Sequence, residues 1–359
     1  MRIPLCLLAI AAVCFDSTSA DARSRPVHTY SIVARDPATG QMGVAVQSHW
    51  FSVGSGVPWA EPGVGAVATQ SFVDPSYGPL GLALMRSGKS APEALKALLN
   101  ADRGNDVRQV AMIDSRGRVA AWTGGKDIPA AGHVTGPPAT VLPATAVSAS
   151  NPGGSGTFTA GADFSVQANL MLGDGIWPAM AKAFREAKGD LAERMILALE
   201  AAQAAGGDIR GRQSAALVVV GDSRGDRPWE RIFDLRVEDH AEPLKELRRL
   251  VTLQRAYNHM NAGDAAVERK DHVTALLEYS EAERIAAATP GVLPSRLAEM
   301  MYWHAVALVN MGRVDESLPL FGKVFAIDRN WAVLTRRLPK SGLLPDDPKL
   351  IDRIVAQAK

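Results

Sequence analysis

Short runs of β-type residues fill the chain between Thr29 and about Glu246, and their close spacing limits the folds open to it. The runs are "TYSIVARD", "QMGVAVQS", "VGAVATQS", "RQVAMID", "RVAAWTG", "FSVQANLML", "QSAALVVVG" and "RIFDLRVED", mostly joined by Gly and Asp turns such as "DPATG" and "DSRGR". Closely spaced strands favour antiparallel pairing. In the first hairpin, residues 29–49, Ile32 and Ala34 together with Val44 and Val46 are expected inside, on both sides of a central sheet.

Two helical pairs interrupt the strands. "SYGPLGLALMRSG" and "SAPEALKALLNA" follow the third run, the second opening with Ser90 and Glu93 spaced as a capping box. "GIWPAMAKAFREAKG" and "DLAERMILALEAAQAAGG" come later, the second opening with Asp190 and Glu193 and closing on Gly206 and Gly207. A helix pair after each block of strands predicts an α+β fold in which two sheets pack together with helices outside. The Pro-, Gly-, Ser- and Thr-rich stretch at about 134–163 reads as a flexible insertion, either a plain surface loop or a lid.

After Leu250 the pattern is helical throughout. "GDAAVERKDHVTALLEYSEAERI" sets Gly263, Ala275, Tyr279 and Ala282 at the small and aromatic positions of a tetratricopeptide unit. "AVALVNMGRVDESLPLFGKVFAID" repeats the logic with Ala305, Gly312 and Phe321, although Ser317 and Val324 stand where small alanines are usual. About three such units are normally needed for stability, so the pair is expected to lean on the final helix or on another surface. An open repeat face suits a protein partner, and assembly into a homo-oligomer is left open.

At the other end, Arg2, an apolar run from Ile3 to Phe15 and small residues ending at Ala22 have the pattern of a cleavable secretory signal. The expected organisation is therefore a signal at 1–22, an α+β domain at 23–249 and a helical domain at 250–359, exported to the periplasm or secreted. Nothing later approaches the ~20 continuous apolar residues of a membrane span. Both cysteines, Cys6 and Cys14, fall inside the signal, which removes disulfides, thiolate nucleophiles and zinc–thiolate sites from the exported protein. A formal net charge of +1 gives no electrostatic case for nucleic acid.

Chemistry is then sought in polar residues at strand ends and on inward faces. Gln167 and Asn169, alternate residues of "SVQAN", share one face of a strand, where amides must be hydrogen-bonded: in a functional cleft or in a satisfied buried pair. "GRQSAAL" brings Arg212 and Ser214 to the start of an apolar strand, where Arg212 either forks a substrate carboxylate or sits at a solvated corner. His133, flanked by Gly132 and Gly136, is expected in a loop, as a substrate contact, a general acid or a turn residue. Gln47 and Ser48 end the second strand as Gln70 and Ser71 end the third. The seven histidines include no pair spaced by four, so no metal or other cofactor is expected, and no Gly-x-Ser-x-Gly elbow joins a strand to a helix.

Several of these blocks, in this order, resemble a bacterial family called domain of unknown function 1028. They are "TYSIVARDP", "GVAVQS", "PGVGAVATQSF", "PSYGPLGL", "DVRQVAMIDSRGRVAAWTG", "AGHVTG", "FSVQANLML" and "AAGGDIRGRQSAALVVV", over about Thr29 to Arg249. The resemblance implies the four-layer αββα sandwich of the N-terminal-nucleophile hydrolases, here followed by the tetratricopeptide-like helices.

In that superfamily the first residue of the processed chain attacks an amide carbonyl, with its own amine as base. Thr29 holds that place at the lip of the first strand, and an α-amine with a pKa of ~7.7–8 is matched to take a hydroxyl proton. With Thr29 so placed, Ser48, at a strand end where this superfamily often carries polar support, and Asn169 are expected as its catalytic support, and Gln47, Gln70, His133, Gln167, Arg212 and Ser214 as contacts to a small amide or peptide-like substrate. Cleavage after Ala22 would leave "RSRPVH" before Thr29, so further trimming at His28 is required. Without it Thr29 is a β-branched strand starter on a scaffold that binds a ligand or a protein.

Overall fold

The computed structural model describes residues 29–143, 155–223, 227 and 229–358. The expected signal and the hexapeptide before Thr29 lie outside the described residues. Among the described residues, twelve strands form two antiparallel six-stranded sheets. The first contains β1 (Thr29–Arg35), β2 (Met42–Ser48), β7 (Gly132–Thr135), β10 (Phe164–Ala168), β11 (Ser214–Val220) and β12 (Phe233–Val237), in the order β12-β11-β2-β1-β10-β7. The second contains β3 (Pro58–Glu61), β4 (Gly65–Ser71), β5 (Arg108–Asp114), β6 (Arg118–Gly124), β8 (Thr140–Pro143) and β9 (Gly156–Ala162), in the order β3-β4-β5-β6-β9-β8.

Strand alternation divides the apolar side chains into layers. Val33, Val44 and Val46 meet Ala66, Ala68, Ala111 and Ile113 between the sheets. Tyr30, Ile32 and Ala34 face the opposite way, onto α3 (Ile176–Glu186) and α4 (Leu191–Ala204). The outer face of the second sheet is covered by α1 (Tyr77–Arg86) and α2 (Ala91–Ala101), packed on Val67, Val110 and Trp122. Helices, sheet, sheet and helices thus follow one another, and Ile32, Ala34, Val44 and Val46 are all fully enclosed.

Local signals start the helices where expected. Ser90 Oγ accepts from the Glu93 N–H while Ser90 N donates to Glu93 Oε2, closing the capping box of α2. Asp190 Oδ1 accepts from Glu193 N at the start of α4.

The stretch expected to be a flexible insertion at 134–163 instead supplies strands to both sheets; residues 144–154 lie outside the described residues. β8 and β9 pair with each other, and β9 pairs with β6 along its whole length. The loop-like composition has a packing cause at Gly156, where an added Cβ would lie 2.5 Å from the Trp122 ring. His133 moves with this correction: it lies in β7, not in a loop, opposite Gln167 of β10.

α5 (Pro243–Glu268) runs without a break through the expected boundary at 249–250. Leu244, Leu247 and Val251 join the core over the first sheet, and Ala256, Met260 and Ala266 join a separate helical core. Arg248 bridges Glu193 and Glu200 at 2.7 Å each, tying α5 to α4. α6 (His272–Ala288) returns along α5, with the Tyr279 ring filling the space left by Gly263, where a Cβ would meet it at 2.9 Å. α7 (Pro294–Asn310) and α8 (Val314–Ile327) form a second pair, closed by α9 (Asn330–Thr335) and by Ile351 and Ile354 of α10 (Pro348–Val355). Among the described residues no helix is long and apolar enough to cross a membrane.

Candidate functional site

β1 lies between β2 and β10, so its first residue is flanked on both sides. Thr29 pairs with Ser48, and its Oγ1 donates to Ser48 Oγ at 3.3 Å. Its carbonyl oxygen accepts from Asn169 N at 3.1 Å and from Gln70 Nε2, across the sheet interface, at 3.2 Å. Thr29, Ser48, Gln70 and Asn169 are all fully buried.

These bonds open a polar network where the apolar layer between the sheets ends. Gln109 of β5 is its hub: Oε1 accepts from Gln70 Nε2 at 2.7 Å and from Asn169 Nδ2 at 2.9 Å, and Nε2 donates to Thr123 Oγ1 and to the Ala168 carbonyl, both at 2.9 Å. Ser31 Oγ donates to Gln70 Oε1 and accepts from Gln167 Nε2, each at 2.6 Å, and Ser165 Oγ donates to Gln167 Oε1 at 2.9 Å. Buried amides satisfied this completely hold the two sheets in one register. Gln109 was not singled out from the sequence, although an amide inside "RQVAMID" carries the same signal as Gln167.

His133 ends the network. Its Nδ1 lies 2.7 Å from Thr123 Oγ1 and its Nε2 2.9 Å from Thr159 Oγ1. Because Thr123 already accepts from Gln109, its own proton is available to Nδ1, which assigns the ring proton to Nε2. Desolvation of the enclosed ring lowers its pKa to about 4, so the imidazole is neutral near pH 7. Its two ring nitrogens cross-link Thr123 and Thr159.

Three other candidates stand apart from this network. Gln47 faces the helices: the Tyr30 hydroxyl reaches both Gln47 Oε1 and Gln203 Oε1, the latter at 3.1 Å. One proton cannot serve both oxygens, and turning the Gln47 amide over lets its Nε2 donate to Tyr30 while Tyr30 donates onward to Gln203. Burial, reinforced by Asp208 and opposed by Arg212, raises the Tyr30 pKa well above its ordinary value. Ser214 accepts from Val53 N at 3.1 Å and donates to the Trp50 carbonyl, fixing the loop after β2. Arg212 pairs with Glu242 at 2.5 Å.

Arg212 belongs to a segment that crosses the lip. After Gly206 and Gly207 end α4, Ile209 N donates to the Leu170 carbonyl beyond β10 at 3.3 Å, and Gln213 N donates to the Ser48 carbonyl at the end of β2 at 3.0 Å. Asp208 Oδ2 accepts from His49 N at 3.2 Å. Since β1 lies between those strands, residues 208–213 strap the sheet across the start of β1. A cleft of about 720 Å³ opens between this strap, the end of α4 and the start of α5.

One acid was missed entirely. Asp127, in the loop after β6, is buried; Oδ1 accepts from Ser71 Oγ at 2.7 Å and Oδ2 has no hydrogen-bond partner among the described residues. Desolvation raises its pKa to about 7, against the pull of Ser71. Ser71 follows Gln70 and holds a left-handed φ of 69°, a strained conformation for serine. No group of three or more His, Cys, Asp or Glu side chains suited to a metal occurs among the described residues.

The model of a family of unknown function, DUF1028, matches residues 29–149 and 143–247. The chain is similar to the crystal structure of a Silicibacter pomeroyi protein of that family, 26% identical, with a TM-score of 0.48, over 62% of this chain and 88% of the other. No curated protein matches it.

Proposed function

The chain belongs to the DUF1028 family, whose function is unknown, and from the site itself we propose that it hydrolyses a small amide or peptide-like substrate with Thr29 as nucleophile. The observation that carries this reading is the placement of Thr29. Its hydroxyl is 3.3 Å from Ser48 Oγ at the start of a central strand, while Gln70 and Asn169 hold its carbonyl still. We read the helix–sheet–sheet–helix order as the N-terminal-nucleophile hydrolase sandwich, the helical pairs after it as tetratricopeptide-like units open to a protein partner, and the protein as exported.

Thr29 nitrogen is a peptide amide in the uncut chain, so the reading requires cleavage between His28 and Thr29. The freed α-amine then takes the Oγ1 proton as Oγ1 bonds to the substrate carbonyl carbon. The C–N bond breaks, the leaving amine departs with that proton, and water hydrolyses the resulting ester to regenerate Thr29. Ser48 Oγ orients the attacking hydroxyl.

N-terminal sequencing of the protein from its own compartment, with turnover on a library of amides, tests the reading. A chain starting at Thr29 is expected, with activity lost in Thr29→Ala and partly kept in Thr29→Ser. Loss of a covalent route costs several orders of magnitude, against about fivefold for a packing change worth ~1 kcal/mol. Equal turnover by wild type and Thr29→Ala overturns it and leaves a scaffold that binds a ligand or a protein.

A further inference from the structure

The cleft beside the strap lies one side chain from the proposed nucleophile's strand. Gln203, in its wall, accepts from the hydroxyl of Tyr30, the residue after Thr29. Thr29 faces the second sheet and the cleft opens on the helix side, so residues 208–213 are the ridge between them.

Charge in the cleft is unevenly matched. Arg210 is committed to Asp208 by two bonds, at 3.0 and 2.7 Å, and Glu200 gives both oxygens to Arg248, at 2.7 and 2.8 Å. Arg212 and Lys245 then share one carboxylate, Glu242, at 2.5 and 3.5 Å. Both cations are open to solvent, with 40% and 80% of their side chains exposed, and so can turn to a second carboxylate without breaking a buried pair. Beside them stand Leu172 and Ile209, 63% and 56% exposed, with Leu244 also in the wall. Large apolar side chains left in water at the rim of a cleft this size suit the apolar part of a ligand.

We propose that this cleft binds an amphiphilic carboxylate of the N-acyl amino acid class, with its carboxylate on Arg212 and Lys245 and its apolar side chain on Leu172 and Ile209. The planar guanidinium of Arg212 suits two-point recognition of a carboxylate, and Lys245 adds a second charge. The extension to turnover rests on the Thr29 reading: the amide of such a ligand would lie on the ridge, within reach of the lip.

Calorimetry on the full chain carrying Thr29→Ala, so that turnover cannot consume the probe, compares N-acetyl-L-leucine with uncharged N-acetyl-L-leucinamide. The acid is expected to bind at least about tenfold more tightly than the amide, with that advantage lost in Arg212→Ala. Glu242→Gln, which removes the competing carboxylate, is expected to strengthen binding of the acid, an outcome that a misfolded variant cannot give. Equal binding of acid and amide, or no change in either variant, overturns the proposal. The two readings fail separately. Binding without Thr29-dependent turnover removes only the hydrolase, and Thr29-dependent turnover indifferent to Arg212 removes only this site.

Discussion

The Gln70 side-chain amide donates to the Thr29 carbonyl at 3.2 Å, joining the second sheet to the lip of the first. The same nitrogen bonds Gln109 and the same amide oxygen accepts from Ser31. Gln70→Leu, similar in volume, would leave the Ser31 hydroxyl without its acceptor and remove one donor each from Thr29 and Gln109. Because unmet buried polar groups cost ~1–3 kcal/mol each, a loss of about 2–4 kcal/mol in urea unfolding is expected. A loss below about 1 kcal/mol would show that water replaces the amide and that the network does not hold the sheets in register.

His133 sets one arm of the pH dependence. Its folded pKa of about 4 lies below the ordinary 6.5, so the unfolded chain binds the extra proton between those values. Its contribution is complete above pH 6.5 and declines as the pH falls toward 4, by up to about 3 kcal/mol. Chemical unfolding of wild type and His133→Asn across pH 4–8 checks this, the variant being expected to lose that part of the slope. Parallel curves would place the proton elsewhere.

Asp127 acts in the opposite sense. Its pKa is raised from 3.8 to about 7, so the folded state keeps a proton that the unfolded state releases, and stability falls as the pH rises through that range. Asp127→Asn keeps an oxygen for Ser71 and removes the buried charge. It is expected to stabilise the protein by the order of 1–4 kcal/mol at pH 8 and to change little at pH 4. Destabilisation at pH 8 would mean that the carboxylate is held by interactions stronger than its desolvation.

What could be read in the sequence follows from which physical signals act locally. Near-continuous β-type runs exposed β1, β2 and β4 because a central strand buried on both faces needs apolar residues at most positions, and the Ser90 and Asp190 caps marked their helices. β3, β7 and β8 are edge strands, where Pro58 and Pro143 are tolerated and the composition resembles a loop. Parity within a strand already separates Gln47 from Ser48, since neighbours face opposite ways, and only Ser48 reaches Thr29. Asp127 gave no such signal: its partner Ser71 lies 56 residues away in the chain.

α5 supplies the last expectation. A boundary at 249–250 suggests that a chain ending after Arg249 keeps the α+β core intact, yet that cut removes Val251, 1% exposed within that core. It also removes Arg255, which holds Asp190 at 2.8 Å and Glu193 at 3.6 Å at the start of α4. A chain ending after Asn258 retains both and still discards the helical core formed with α6 and α7. Burying a valine contributes ~1.5–3 kcal/mol and a partly exposed ion pair ~1 kcal/mol or less, so the longer chain should unfold about 2–4 kcal/mol later than the shorter one. Denaturant midpoints of the two truncated chains decide the matter: equal values would assign this stretch of α5 to the tail alone, and failure of both to fold would mean that the helical pairs complete the core over the first sheet.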